Sequence, residues 1–132
     1  MGTFKSLEEA REYFKNDRFA TGNGMVIDEL FDGGCVCSAE IRDEHRNALG
    51  IVMGGVIFTL ADFAFAVSSN NAHSPTVGLE AKINYLNASK GSRLTARSTC
   101  VKQGRTTCVY CVKVTDDLGA DVALFTGTGC VL

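Results

Sequence analysis

Residues 50–67, GIVMGGVIFTLADFAFAV, set one aspartate inside an apolar run that opens on two glycines. Between Val56 and Val67 only Thr59 and Asp62 are polar. An isolated carboxylate on a buried element is costly unless it is hydrogen-bonded or protonated, so something must compensate Asp62 or use it. Length, the three alanines Ala61, Ala64 and Ala66, and a stop at Ser68-Ser69-Asn70-Asn71 predict a helix over 56–69 rather than a strand. Apolar residues fall on every side of it, which predicts a helix buried all round.

The elements around this helix follow from local pattern. Ser6-Leu7-Glu8-Glu9 has capping-box form, and Leu7, Ala10, Tyr13 and Phe14 recur at helical spacing, predicting an amphipathic helix over 7–16. The turn formers of NDRFATGNG end it. Residues 25–31 and 35–41 are short apolar runs flanking Asp32-Gly33-Gly34, a hairpin pattern. After the long helix, Val77, Leu79, Ala81, Ile83 and Tyr85 alternate with Gly78, Glu80, Lys82 and Asn84, as in a strand. Runs 92–102, 106–116 and 121–131 read as further strands, the turns between them closing antiparallel hairpins.

The architecture expected is α+β: a predominantly antiparallel sheet of five or six strands wrapped around one central buried helix, preceded by a short N-terminal helix. At 132 residues this is one domain, residues 1–132, with its core over about 24–131. One sheet covers all but one side of one helix, and the remaining side calls for a partner, most simply a second copy.

Composition removes several functions. A net charge of -2, with scattered Lys and Arg, gives no electrostatic case for nucleic acid or for an anionic membrane. No apolar stretch reaches the 18 to 20 or so residues that span a bilayer, and the N-terminus lacks a signal peptide's basic head and apolar middle. Met1-Gly2 begins a myristoylation pattern that nothing else supports. A cytoplasmic location is the expectation. The six cysteines include Cys108-Val109-Tyr110-Cys111, but in a strand residues three apart face opposite ways and share no metal. Cys35 and Cys37 share a face at a spacing awkward for a disulfide, so buried free thiols are expected.

Gly54-Gly55 fall where the long helix begins. Unpaired N–H groups and the positive end of the helix dipole gather there, suited to an oxygen that gains negative charge. Glycine lets a substrate approach that backbone. Asp62, eight residues on, lies about 12 Å along the axis, remote from its own Gly54. A symmetric dimer with antiparallel helices would bring one subunit's Asp62 to the other's helix start. The competing reading makes Asp62 a structural residue bonded to backbone, with the glycines serving only tight packing.

The joint pattern His45-x-Asn47-x-x-Gly50-x-x-Met53-Gly54-Gly55-x-x-x-x-Leu60-x-Asp62-x-Ala64 resembles the signature HxNxxGxxHGGxxxxLxDxA of PaaI-type hotdog-fold acyl-CoA thioesterases. INYLNASKG (83–91), KQGRTT (102–107) and FTGTGCV (125–131) resemble that family's strand segments, so the likeness spans about residues 25–131. It implies a hotdog fold and hydrolysis of acyl-CoA, with aryl or medium-chain acyl groups. Asp62 would be nucleophile or general base, the Gly54 amide would polarise the thioester carbonyl across the subunit interface, and Asn47 would position thioester or water. Met53, Gly55, His45, Gly78 and Leu79 would line the substrate. A thiolate leaves readily, so one carboxylate suffices and neither metal nor cofactor is called for. A homodimer or homotetramer is implied.

Two departures stand out. The family's histidine before the glycine pair is Met53, and a strand position that commonly holds Ser or Thr is Gly78. Both remove hydrogen-bonding capacity. They keep open a second reading, a non-catalytic acyl-CoA-binding hotdog module serving as sensor or carrier. Asn47 could also simply satisfy a turn, and His45 could be structural.

Overall fold

The computed structural model describes residues 2–132; Met1, where the myristoylation match begins, lies outside the described residues. Helix α1 spans Leu7–Phe14, two residues short of the expected end, and the Ser6 hydroxyl accepts from the Glu9 N–H at 3.1 Å as a capping serine does. The turn formers that follow hold a second helix, α2, Arg18–Gly22, which local pattern did not predict. Its one turn is fastened at its start, where the Asp17 carbonyl accepts from both the Thr21 N–H (3.1 Å) and the Thr21 hydroxyl (2.9 Å). Ala20 buries against the core, so tertiary contact overrides turn propensity.

Strands β1 (Met25–Phe31) and β2 (Gly34–Glu40) form the expected hairpin, with Gly33 at φ +82°, a conformation that glycine adopts without steric cost. Helix α3 spans Gly54–Ala72, and β3 (Thr76–Tyr85), β4 (Arg93–Gln103), β5 (Thr107–Asp116) and β6 (Asp121–Val131) follow. All strand pairs are antiparallel, in one six-stranded sheet ordered β1-β2-β4-β5-β6-β3. Among the cysteines of the CxxC, Cys108 is buried in the core while Cys111 is only partly buried, as strand alternation requires. Cys35 and Cys37 are both buried free thiols, their sulfurs 3.8 Å apart.

The sheet curls around α3. Leu60, Ala61, Ala64 and Val67 are completely buried against residues such as Leu94, Ala96, Val112 and Phe125 of the strands. The expectation of a helix buried all round is corrected on one side. Gly55 and Asp62 are exposed and Thr59 and Ala66 half-buried, a stripe at i, i+4, i+7 and i+11 that one sheet leaves open. Asp62 is therefore no core carboxylate; it sits on the side of the helix that the sheet leaves open.

α3 also runs past the polar residues expected to stop it. Asn70 and Asn71 are buried because the neighbouring chain uses them. The Asn71 carbonyl accepts from the Thr3 N–H (2.6 Å) and its Oδ1 from the Phe4 N–H (3.2 Å), tying the N-terminus down. The Asn70 Oδ1 accepts from the Thr76 N–H (3.0 Å), and its Nδ2 donates to the carbonyls of Thr76 (3.2 Å) and Ala66 (2.9 Å). One side chain thus fixes where β3 leaves the helix.

β3 is an outer strand of the sheet, exposed at every residue except Thr76 and Ile83. Beneath it the Phe65 ring lies over glycines. A Cβ added at Gly127 or Gly129 would stand 3.0 or 3.2 Å from that ring, and one at Gly78 3.8 Å. The glycines of FTGTG make room for Phe65.

Asn70→Ala strips the buried Thr76 N–H of its acceptor and should destabilise the fold by about 1–3 kcal/mol. Chemical denaturation checks this, and Asn70→Asp, which keeps the acceptor but sets a carboxylate oxygen against the Ala66 and Thr76 carbonyls, should also destabilise the fold at neutral pH.

Candidate active site

The loop into α3 is built from its own polar groups. The Asn47 N–H donates to the Ile51 carbonyl (2.8 Å), and the Asn47 carbonyl accepts from the Gly50 N–H (2.9 Å). Gly50 has φ +77°, so a Cβ here would be strained. The Asn47 side chain is part of this turn: its Oδ1 accepts from the Leu49 N–H at 2.9 Å and the Ile51 N–H at 3.4 Å. What it has left to offer a ligand is the donor Nδ2.

His45 is buried and used at both ring nitrogens. Its Nδ1 accepts from the Arg42 N–H (3.1 Å), which leaves Nε2 to donate to the Asn23 Oδ1 (3.2 Å). Its carbonyl accepts from the Met53 N–H (2.9 Å), so the histidine clamps the chain that enters the helix.

α3 begins uncapped. Met53 occupies the cap position and has no side-chain oxygen, while its carbonyl accepts from the Val56 and Ile57 N–H groups at 3.1 and 3.4 Å. Among the described residues the Gly54 and Gly55 N–H groups find no acceptor. Two donors and the positive end of a 19-residue helix are left facing outward. The Tyr85 hydroxyl donates to the Gly54 carbonyl (3.1 Å), and its ring would lie 3.1 Å from a Cβ at that position. A larger residue here would push the ring aside by a few tenths of an ångström. The end of the Met53 side chain lies over Gly55, and the residue is 47% exposed.

The candidate residues gather in three places rather than one. Asn47 and Gly54 line a cavity of about 340 Å³ with Tyr85, Leu86 and Asn87. Asp62, Gly78 and Leu79 line another of about 230 Å³ with Phe65 and Glu80. His45, Met53 and Gly55 line a third of about 320 Å³ with Phe19 and Thr59. None of these three cavities holds both Asp62 and Gly54. Tyr85 was read only as a strand residue, and its place at the helix start depends on β3 crossing there.

Asp62 also borders a cavity of about 300 Å³ on its other side, with Asp17, Phe19, Phe58, Thr59 and Phe63. Its carboxyl is held above the usual carboxylate range, first by the protein atoms that crowd it and displace water, then by the negative charge of Asp17. Such a group holds a proton more tightly than a free aspartate and is a stronger base when ionised.

The thioesterase superfamily model matches residues 49–123, the segment from the loop before α3 to β6. The chain belongs to the thioesterase superfamily. A curated relative, the acyl-coenzyme A thioesterase PaaI of Escherichia coli, is 30% identical over 93% of this chain and 89% of its own. The structure of the E. coli PaaI protein from the phenylacetic acid degradation operon superposes with a TM-score of 0.88, at 27% identity and 96% coverage of both chains. A hypothetical thioesterase from Streptococcus pneumoniae, solved with coenzyme A, reaches a TM-score of 0.83 at 33% identity, covering 90% of this chain and 96% of its own. The thioesterase therefore has the PaaI-type hotdog fold that the sequence pattern implied, and it is an enzyme by family.

The raised Asp62 gives a stability test. A carboxyl whose folded pKa lies above its unfolded value opposes folding when ionised. Asp62→Asn should therefore raise Tm at neutral pH. The gain should shrink as pH falls through the folded-state pKa and vanish below the unfolded one. Calorimetry of both proteins from neutral to acid pH reads it.

Proposed function

We propose that this thioesterase hydrolyses acyl-CoA at a site shared by two subunits, Asp62 of one facing the helix start of the other. The observation that carries the reading is the division of the site. Asp62 lies eight residues, about 12 Å, from its own Gly54, and the two line separate cavities. The open stripe of α3 and the unpaired edge of β3, with Val77, Leu79 and Tyr85 exposed, lie where a second copy would cover them. An exposed apolar edge strand is otherwise an aggregation hazard, and pairing removes it. A homodimer is the smallest assembly that completes the site. A two-fold axis makes both sites at once.

In this reading the thioester carbonyl points its oxygen at the Gly54 N–H. Asp62 takes a proton from a water whose oxygen bonds to the carbonyl carbon. The oxyanion that forms is held by the helix start, then collapses, the C–S bond breaks and the thiolate leaves. The proton returns from Asp62 to solvent or to the departing sulfur. Asn47 contributes its Nδ2 as a donor near the same oxygen. The cavities beside Asp62 are small and lined by Phe19, Phe58, Phe63 and Phe65, which supports an aryl or medium-chain acyl group rather than a long chain. The coenzyme A held by the streptococcal thioesterase supports CoA as the thiol.

Thiol release over a panel of acyl-CoAs tests the activity. At least one should be hydrolysed, with no effect of EDTA, and Asp62→Ala should lower kcat by about 10²-fold or more. Binding without turnover over the whole panel would instead identify the chain as an acyl-CoA-binding module, the reading that Met53 and Gly78 leave open.

The shared site has its own test. Asp62→Ala and Gly54→Pro proteins should each be inactive. Mixed under conditions of subunit exchange they should regain activity, because the hybrid carries one intact site. Absence of recovery despite exchange would place both residues in one subunit's site.

A further inference from the structure

The segment between α1 and α2 brings a second carboxylate to Asp62. Asp17 occupies the cap position of α2, yet its side chain makes no capping bond. The capping work falls to its main-chain carbonyl, which holds Thr21 through two hydrogen bonds. With its backbone pinned, the residue borders the cavity of about 300 Å³ that Asp62 borders from α3. The other walls are Phe19, Ala20, Phe58, Thr59 and Phe63. No cation lines this space. Lys15 pairs with Glu12 at 2.7 Å, and Arg18 is not among the lining residues. The two carboxylates border one cavity that no Lys or Arg lines, so the charge on one side acts on the other with no cation between them. From the opposite direction, among the described residues, Glu80 of β3 is the charged group that lines the smaller cavity with Asp62.

We propose that Asp17 is a positioning residue for the hydrolysis, its charge on the cavity wall making Asp62 a stronger base. This rests on Asp62 being the base. Asp17 touches neither thioester nor water; it acts through Asp62 alone. The raised proton affinity of Asp62, to which Asp17 contributes after crowding, agrees with the geometry. A base that holds its proton more firmly pulls harder on the attacking water, at the cost of being protonated over more of the acid range. Asp17 therefore sets the compromise between rate at neutral pH and loss of activity below it.

The test uses the full chain and a hydrolysed acyl-CoA, with Asp17→Asn, Asp17→Glu and Glu80→Gln compared against the parent. The acid limb of the kcat/KM profile should move to lower pH in Asp17→Asn. Its plateau kcat should fall about two- to fivefold, the mark of a weaker base, with KM within about twofold. Asp17→Glu should restore the parent profile. Added salt should move the parent limb toward that of Asp17→Asn and leave the variant in place. An unmoved limb in a folded Asp17→Asn protein, or an equal shift in Glu80→Gln, overturns the proposal. The Asp62 carboxyl titration followed by ¹³C NMR separates this from failure of the underlying reading. An unmoved titration in Asp17→Asn refutes the coupling whatever the rates do. A moved titration in a protein whose Asp62→Asn variant still turns over shows instead that Asp62 is not the base, and the role of Asp17 falls with it.

Discussion

A single sheet wrapped around a single helix must leave one side of that helix uncovered. The strands of this protein bury Leu60, Ala61, Ala64 and Val67 completely, and the geometry that does so exposes Gly55 and Asp62 along the opposite stripe. The proposed function rests on that opening. The carboxylate is on it, the bare helix start is at one end of it, and the unpaired edge of β3 runs beside it. A monomer with this surface presents apolar strand edge and helix stripe to water together. In the proposed homodimer a second copy related by a two-fold axis would cover both and, in the same act, would place Asp62 against the donors it cannot reach within its own chain.

The direction in which Asp62 points is set one turn along the helix. Phe65 is three residues further on, and its ring is seated over Gly127 and Gly129, where a Cβ would press on it or on Cys108 and Thr76, with Gly78 at ordinary contact distance beside it. Burying a phenylalanine is worth about 2–3 kcal/mol, and this ring has only one glycine-lined place to go. Its seating fixes the rotation of α3 about its axis. Asp62, neighbour to Phe65 on the helix surface, is thereby held beside Gly78 and Leu79. Glycines in the last strand thus aim a carboxylate that lies more than 60 residues earlier in the chain.

The strands and α3 were legible in the sequence because alternation over 76–85 and an unbroken apolar run over 56–67 are strong local signals. What was not legible depends on distant partners. Ser68-Ser69-Asn70-Asn71 has the composition of a helix stop, yet it continues the helix because Thr76, Thr3 and Phe4 supply hydrogen bonds that no local rule contains. α2 has the composition of a turn and is a helix because Ala20 finds the core. For the site, the eight-residue spacing already implied that Asp62 and Gly54 of one chain do not meet. The turn made by Asn47 is local and was open to reading from residue type, whereas the ring of Tyr85 over Gly54 and the approach of Asp17 to Asp62 arise from tertiary placement, which residue type and spacing do not encode.

Met53 looks like a loss when set against the family's histidine, but the helix start gives it a different meaning. A serine or aspartate at a cap position satisfies one of the helix's first donors with its own oxygen and stabilises the protein by about 1 kcal/mol. At this helix that oxygen would sit where a ligand's oxygen must go. A thioether cannot act as a strong acceptor, so Met53 leaves the Gly54 and Gly55 N–H groups bare, and its flexible end covers Gly55 without engaging them. The uncapped helix and the carboxylate raised by crowding are therefore the same kind of feature. Each costs the isolated chain stability, and under the proposed hydrolysis each is relieved: by an oxygen gaining negative charge at the helix start, and by a proton arriving at Asp62 as that charge develops. Two unfavourable groups that are made favourable by the same chemical step are what a site complementary to a transition state requires. Packing alone would have filled both positions with an oxygen cap and a neutral side chain.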